Sequence, residues 1–170
     1  ADVSGDGIPA ALIMVSFRAM LRNQLKINSE PAEVMNLLNQ QIPEVSRKRD
    51  FITAFYGKLN YSENTFTYAN CGHNPPLLLR ANGDLILLEQ GGPSLNIIKD
   101  AKFNSDSINL AKGDQIIFYT DGVIEIFDRD SKEYSVERLQ KVIRDSKDKS
   151  ANEIITNIVE STRNFSSTKL

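Results

Sequence analysis

Phe51-Ile52-Thr53-Ala54-Phe55-Tyr56-Gly57-Lys58-Leu59 and Thr65-Phe66-Thr67-Tyr68-Ala69, on either side of the polar turn Tyr61-Ser62-Glu63-Asn64, decide the fold class. Both runs alternate and are rich in aromatic and β-branched residues, the pattern of half-buried strands folded back on each other. Leu77–Leu79 and residues 85–88 flank Ala81-Asn82-Gly83-Asp84, whose Asn-Gly pair favours a tight hairpin turn. A third pair, 103–110 and 115–119, is joined by Ala111-Lys112-Gly113-Asp114 and reads the same way. Gly91-Gly92-Pro93-Ser94-Leu95 reads as a turn, with nothing near it to specify a phosphate loop. Six strands in hairpin succession predict antiparallel sheet rather than βαβ units.

Helical periods flank these strands. Pro9 suits a first helical turn, and Ala10, Ile13, Met14, Phe17, Met20, Leu21 and Leu25 then form one apolar face opposite Arg18, Arg22, Asn23 and Lys26. This helix starts at a glycine turn, and its free backbone N–H groups favour a phosphate nearby. Asn28 and Ser29 offer caps for a second helix with Pro31 in its first turn and Val34, Leu37, Leu38 and Ile42 as its stripe. The charged loop Arg47-Lys48-Arg49-Asp50 reads as a solvated connection ahead of a substrate-docking patch. Beyond the strands, Ser135 is placed to cap a helix carrying Val136, Leu139, Val142 and Ile143. Ser150 with Glu153 makes a capping-box pattern before Ile154, Ile155, Ile158 and Val159. Without repeats, low-complexity tracts or long linkers, residues 1–170 are read as one α+β domain with helices covering sheet.

Bulk composition narrows the function classes. The chain has 170 residues, 41% hydrophobic and 25% charged, ordinary values for a globular domain with a sizeable core. A net charge of −2 gives no electrostatic reason to expect nucleic acid. No apolar run nears the ~20 residues of a spanning helix, so no membrane contact is expected from this domain. Nothing reads as a secretory leader. Cys71, the one cysteine, has no partner for an intramolecular disulfide and points to a reducing cytoplasm. It reads as a buried structural thiol before a nucleophile, and one Cys with one His makes no structural zinc set. The chain begins without methionine inside what reads as a functional loop, and Phe165-Ser166-Ser167-Thr168-Lys169-Leu170 closes no element. It is therefore expected to be a piece of a longer protein.

The candidate chemistry centres on two carboxylates. Asp2, in Ala1-Asp2-Val3-Ser4-Gly5-Asp6-Gly7, and Asp121, in Phe118-Tyr119-Thr120-Asp121-Gly122-Val123, each meet a glycine turn at the edge of an apolar run. Either alone is equally an ordinary turn aspartate. Together they suit a hard divalent cation such as magnesium or manganese, which prefers one or two carboxylates plus waters. His73, in Cys71-Gly72-His73-Asn74-Pro75-Pro76, reads either as a general acid–base or as a hydrogen-bond tie in a constrained loop. Ser4 and Thr120 are nucleophile candidates only if the fold brings them to His73.

Four blocks in order carry a resemblance. Asp2-Val3-Ser4-Gly5 with Gly7 and Pro9-Ala10-Ala11-Leu12, then Phe51 to Gly57, then Gly72-His73-Asn74-Pro75-Pro76, then Tyr119-Thr120-Asp121-Gly122-Val123 resemble the bacterial metal-dependent serine/threonine phosphatases of the stage II sporulation protein E type. These PPM-type enzymes are relatives of the type 2C phosphatases, and the resemblance spans residues 1 to about 143. It implies an α-β-β-α sandwich of two mainly antiparallel sheets flanked by helices, and hydrolysis of phosphoserine or phosphothreonine by metal-activated water. By position, Asp2 and Asp121 are the implied catalytic residues. Asp2, the Val3 carbonyl and Asp121 are the implied ligands of two manganese or magnesium ions, while His73 falls in a block of structural use.

The implied partners are a phosphorylated regulatory protein, such as an anti-sigma factor antagonist, and an upstream sensory or receiver domain. A homodimer is also permitted, with the helix after Pro9 as a regulatory element. Asp6 stands where the family usually has histidine. The family's Gly-Gly-Asp strand and its Asp-Asp-Ile-Thr strand, which supplies a further metal-binding aspartate, are absent from residues 1–170. The domain is thus expected to lack its first strands and its last metal-binding strand. The alternative is a catalytically inactive pseudophosphatase that binds a partner.

Overall fold

The computed structural model describes residues 1–47 and 49–166, so Lys48 of the charged loop and residues 167–170 lie outside the described residues. The chain divides into two units, Ala1–Pro75 with Glu89–Leu110, and Pro76–Leu88 with the stretch from Ala111 onward. Each is a sheet with helices of its own, in keeping with the α+β class.

In the first unit, β1 (Asp2–Val3), β2 (Ile52–Asn60) and β3 (Thr65–Cys71) pair antiparallel in that order. The far edge of β3 is shared by β6 (Gly91–Gly92), which runs parallel to it, and β7 (Asp106–Asn109), which runs antiparallel. Alternation sends Val3, Ile52, Ala54, Ala69 and Cys71 into a core with Ile13 and Phe17 of α1 (Gly7–Gln24) and Val34, Met35 and Leu38 of α2 (Pro31–Gln41). The opposite parity places Asp2, Thr53, Phe55, Phe66, Tyr68 and Asn70 on the other face. Phe55, Phe66 and Tyr68 stack there, with Phe55 and Tyr68 ring centroids 5.4 Å apart. Gly57 makes room for this ladder, since a Cβ would overlap the Phe66 ring.

The second unit is a fully antiparallel sheet, β5 (Leu85–Leu87), β4 (Leu77–Leu79), β8 (Gln115–Ile117). Leu77, Leu79 and Tyr119 pack with Tyr134, with Leu139 and Ile143 of α4 (Ser135–Asp145) and with Ile154 of α5 (Ala151–Phe165). The short α3 (Asp121–Ile124) follows β8. Phe165, at the end of α5, meets Tyr134 edge-on at 5.4 Å, so this residue does close part of a core.

Several expectations change. The third hairpin does not form: β7 pairs with β3 and β8 with β4, so residues 111–114 pass from one sheet to the other. Gly91-Gly92 is a strand, not a turn, and only glycine fits there because a Cβ at Gly91 would overlap the Asn70 backbone. Glu30 rather than Asn28 or Ser29 caps α2, without a side-chain cap bond, while Asn28 Oδ1 accepts the Glu30 amide at 2.8 Å. Met35, not Leu37, completes the buried stripe of α2. Tyr134 rather than Ser135 precedes α4; Ser135 has φ 69° and donates to Glu137. The Ser150–Glu153 capping box forms in full.

Polar side chains fix the loops between strands. Buried Asn39 accepts the Asn96 amide at 2.8 Å and donates to the carbonyls of Ile98 and Lys99. Asn36 trades two hydrogen bonds with the Phe103 backbone, so α2 holds the whole 93–103 loop. In the second unit, Asp114 accepts from Arg80 at 2.6 Å and from the amides of Ala81 and Ala111. Its side chain is 2% exposed. Burial alone would raise the Asp114 carboxyl, but the Ala111 amide, Arg80 and the Ala81 amide together outweigh it and hold the carboxyl below its ordinary range.

Asp114→Ala strips these donors of their acceptor and is expected to destabilise the protein by about 2–3 kcal/mol. A carboxyl lowered on folding stabilises above the ordinary carboxylate range, and that contribution is lost as pH falls through its lowered value. Urea unfolding should therefore show a wide gap between wild type and variant at neutral pH that narrows in acid. A gap independent of pH would rule the charged network out.

Candidate functional site

Asp2 is exposed and stands in β1 directly opposite Thr53, with Val3 opposite Ile52. Directly opposed residues of an antiparallel pair place their side chains on one face, about 5 Å apart. Ser4 extends this pairing. The Ser4 amide donates to the Phe51 carbonyl at 2.9 Å, and the Phe51 amide donates back to Ser4 Oγ at 2.8 Å. Ser4 is thus a brace, its hydroxyl oxygen occupied by a backbone amide. Gly5 (φ 84°) and Gly7 (φ 67°) then swing the chain into α1, a left-handed passage that glycine tolerates. Asp6 caps α1 without a side-chain cap bond.

His73 is held in the same unit. Its amide donates to Asn70 Oδ1 at 2.8 Å, and Asn70 Nδ2 donates to the His73 carbonyl at 3.0 Å. Asn70 is itself buried on β3. The imidazole Nδ1 lies 2.9 Å from Thr53 Oγ1. Three of the four sequence blocks therefore meet around one pair of strands, with Asp2, Thr53 and His73 in succession. An open depression of about 380 Å³ lies at the His73 loop, lined by His73, Asn74, Pro75 and Glu89 among others.

Asp121 belongs to the second unit. It is exposed, follows the N-cap Thr120, and opens α3 with its Oδ1 accepting the Gly122 amide at 2.7 Å. Buried Tyr119 anchors the segment just before it.

Among the described residues, no group of three or more His, Cys, Asp or Glu side chains is gathered to hold a metal ion. Asp2 and the Val3 carbonyl in the first unit, and Asp121 in the second, each offer oxygen donors, the type that magnesium and manganese take and soft thiophilic ions do not. Cys71 plays no part: it is buried, and burial pushes its thiol up to about 12. A neutral, enclosed thiol is a poor ligand or nucleophile.

Sequence reading did not single out Thr53 or Asn70. The role of Thr53 depends on pairings 51 and 20 positions apart that no local pattern links, whereas Asn70 clamps His73 only three positions on. The one available signal was the tight Gly72–Pro76 loop, which suggested a hydrogen-bond tie for His73.

Comparison with known proteins places these features. The chain is 34% identical to the phosphoserine phosphatase RsbU of Bacillus subtilis over 164 residues, which cover 95% of the chain. It spans about half, 48%, of that relative's length. The crystal structure of the RsbU and RsbW domains of a Mycobacterium tuberculosis protein superposes with a TM-score of 0.76 at 27% identity, covering 96% of the chain and 46% of that structure. The SiaA-PP2C domain of Pseudomonas aeruginosa reaches a TM-score of 0.82 over 97% of the chain and 67% of its own, and at 14% identity this shows the shared fold. The family model described as stage II sporulation protein E matches residues 1–170. With the four blocks in order along that match, the chain belongs to the stage II sporulation protein E family.

Proposed function

We propose that this protein is a metal-dependent protein serine/threonine phosphatase that hydrolyses phosphoserine or phosphothreonine on a regulatory protein. The observation that carries the reading is Asp2, an exposed carboxylate on a strand braced by Ser4, in a block that fits the family. Asp2, the Val3 carbonyl and Asp121 are its proposed metal ligands, with two magnesium or manganese ions expected. When bound, such ions lower the pKa of water and offset phosphate charge. The chain's own part is to present oxygen donors at fixed places: β1 is tied to β2, and α3 starts on Asp121.

The relative named a phosphoserine phosphatase supports the reaction, and the solved RsbU and RsbW domains support a regulatory partner. An anti-sigma factor antagonist is the proposed substrate. The cytoplasm is the proposed location: no helix among the described residues is long and apolar enough to cross a membrane, and the single cysteine is a free thiol. An upstream sensory or receiver domain and a homodimer remain part of this proposal by family analogy.

The test is phosphate release from a phosphoserine protein with manganese or magnesium, and its loss on chelation. Release that is insensitive to chelation overturns the metal reading. A second reading, a partner-binding pseudophosphatase, is favoured by Asp6 in place of the usual histidine and by the absence of a three-residue acidic cluster among the described residues. Partner binding without manganese binding in calorimetry would select it.

A further inference from the structure

We propose that His73 is a positioning residue for Asp2, acting through the hydroxyl of Thr53. This rests on the reading of Asp2 as a metal ligand.

The loop that carries His73 has backbone ties of its own besides the imidazole. Its backbone is clamped at both polar atoms by Asn70, Ala54 bridges Gly72, and the Asn70 amide donates to the Gln90 carbonyl at 2.8 Å. Gly72 (φ 67°) is packed so closely against Ser94 that a Cβ would overlap its hydroxyl. The ring is thus delivered to Thr53 by a loop already fixed. What the 2.9 Å contact between Nδ1 and Thr53 Oγ1 adds is control of Thr53. Threonine is β-branched, with few χ1 states, so fixing its hydroxyl also fixes where its methyl stands. Thr53 is the direct cross-strand neighbour of Asp2 on the same face. Among the described residues, Asp2 has Thr53 as its direct partner across the β1–β2 pair, so the Thr53 side chain bears on the Asp2 side chain. His73 therefore holds in place the side chain that stands directly across from Asp2. Partners that orient a ligand from outside are typically worth about 10–100-fold in metal affinity.

The experiment is manganese titration by calorimetry, with thermal unfolding of each variant as a check on folding. Thr53→Val keeps the shape and removes the hydroxyl, while His73→Ala removes the ring and leaves the backbone clamp. Each should weaken manganese binding by about 10-fold or more. The double variant should be no weaker than the poorer single, because the two act in series. His73→Asn, whose amide reaches where Nδ1 sits, should restore most of the affinity. Wild-type affinity in Thr53→Val and His73→Ala, or additive losses in the double, overturns the proposal while Asp2→Asn still loses manganese. If His73→Ala does not fold, Thr53→Val and His73→Asn decide the matter. Wild-type manganese binding in Asp2→Asn removes the metal reading itself, and this proposal with it.

Discussion

Asp2→Asn is expected to cut metal-dependent phosphate release by about 10³-fold or more, with Asp121→Asn falling comparably. Asparagine has the shape of aspartate but lacks the charge that holds a divalent cation. Metal stabilisation of a transferring phosphoryl group is worth several kcal/mol, and each 1.4 kcal/mol is about tenfold in rate. Neither substitution should unfold the protein, since both side chains are exposed and neither is in an ion pair recorded among the described residues. Exposed sites of this kind usually shift stability by less than about 0.5 kcal/mol. A collapse in rate at unchanged melting temperature therefore isolates the carboxylate charge. Raised manganese should recover part of the loss if affinity is the defect. Retention of full activity by either variant removes that aspartate from the metal site. Asp6 supplies the internal control: it is exposed at the start of α1, and Asp6→Asn should leave melting unchanged.

The parts of this fold legible in the sequence were those governed by local rules. The alternation of residues 51–69 gave β2 and β3, and the stripe of Ile13, Met14 and Phe17 gave α1. Ser150 and Glu153 marked the start of α5 because a capping box is a three-residue affair. Register and sheet assignment were illegible because they are settled by distant partners. Residues 111–114 carry hairpin chemistry, with Gly113 at φ 95°, yet they join strands of different sheets. Turn residues report a local bend; where the next strand finds its neighbour is decided by which edge is open. The site shows the same division. Asp2, Asp121 and His73 were visible as chemistry-bearing residues beside glycine, while Thr53 looks like an ordinary strand residue until its partners 51 and 20 positions away are known.

Gly91→Ala is expected to cost about 3 kcal/mol, far more than alanine in an exposed turn. An added Cβ would overlap the carbonyl oxygen and amide nitrogen of Asn70. Those atoms are backbone in the middle of the sheet, so no side-chain rotation relieves the clash and β6 must move off β3. The movement also breaks the bond from the Asn70 amide to the Gln90 carbonyl and loosens the residue whose side chain clamps His73. Gly92→Ala is the matched control. Its Cβ would press on the Phe103 ring, a side chain rather than backbone, so a smaller cost, nearer 1 kcal/mol, is expected. Domains are stable by only about 5–15 kcal/mol, so a difference of this size is resolved by urea unfolding. If the two variants unfold together, the parallel pairing at Asn70 is looser than its geometry indicates. If Gly91→Ala alone falls, and its manganese affinity drops with it, the glycine pair serves as a close-packed seam that keeps the His73 loop aimed at Thr53.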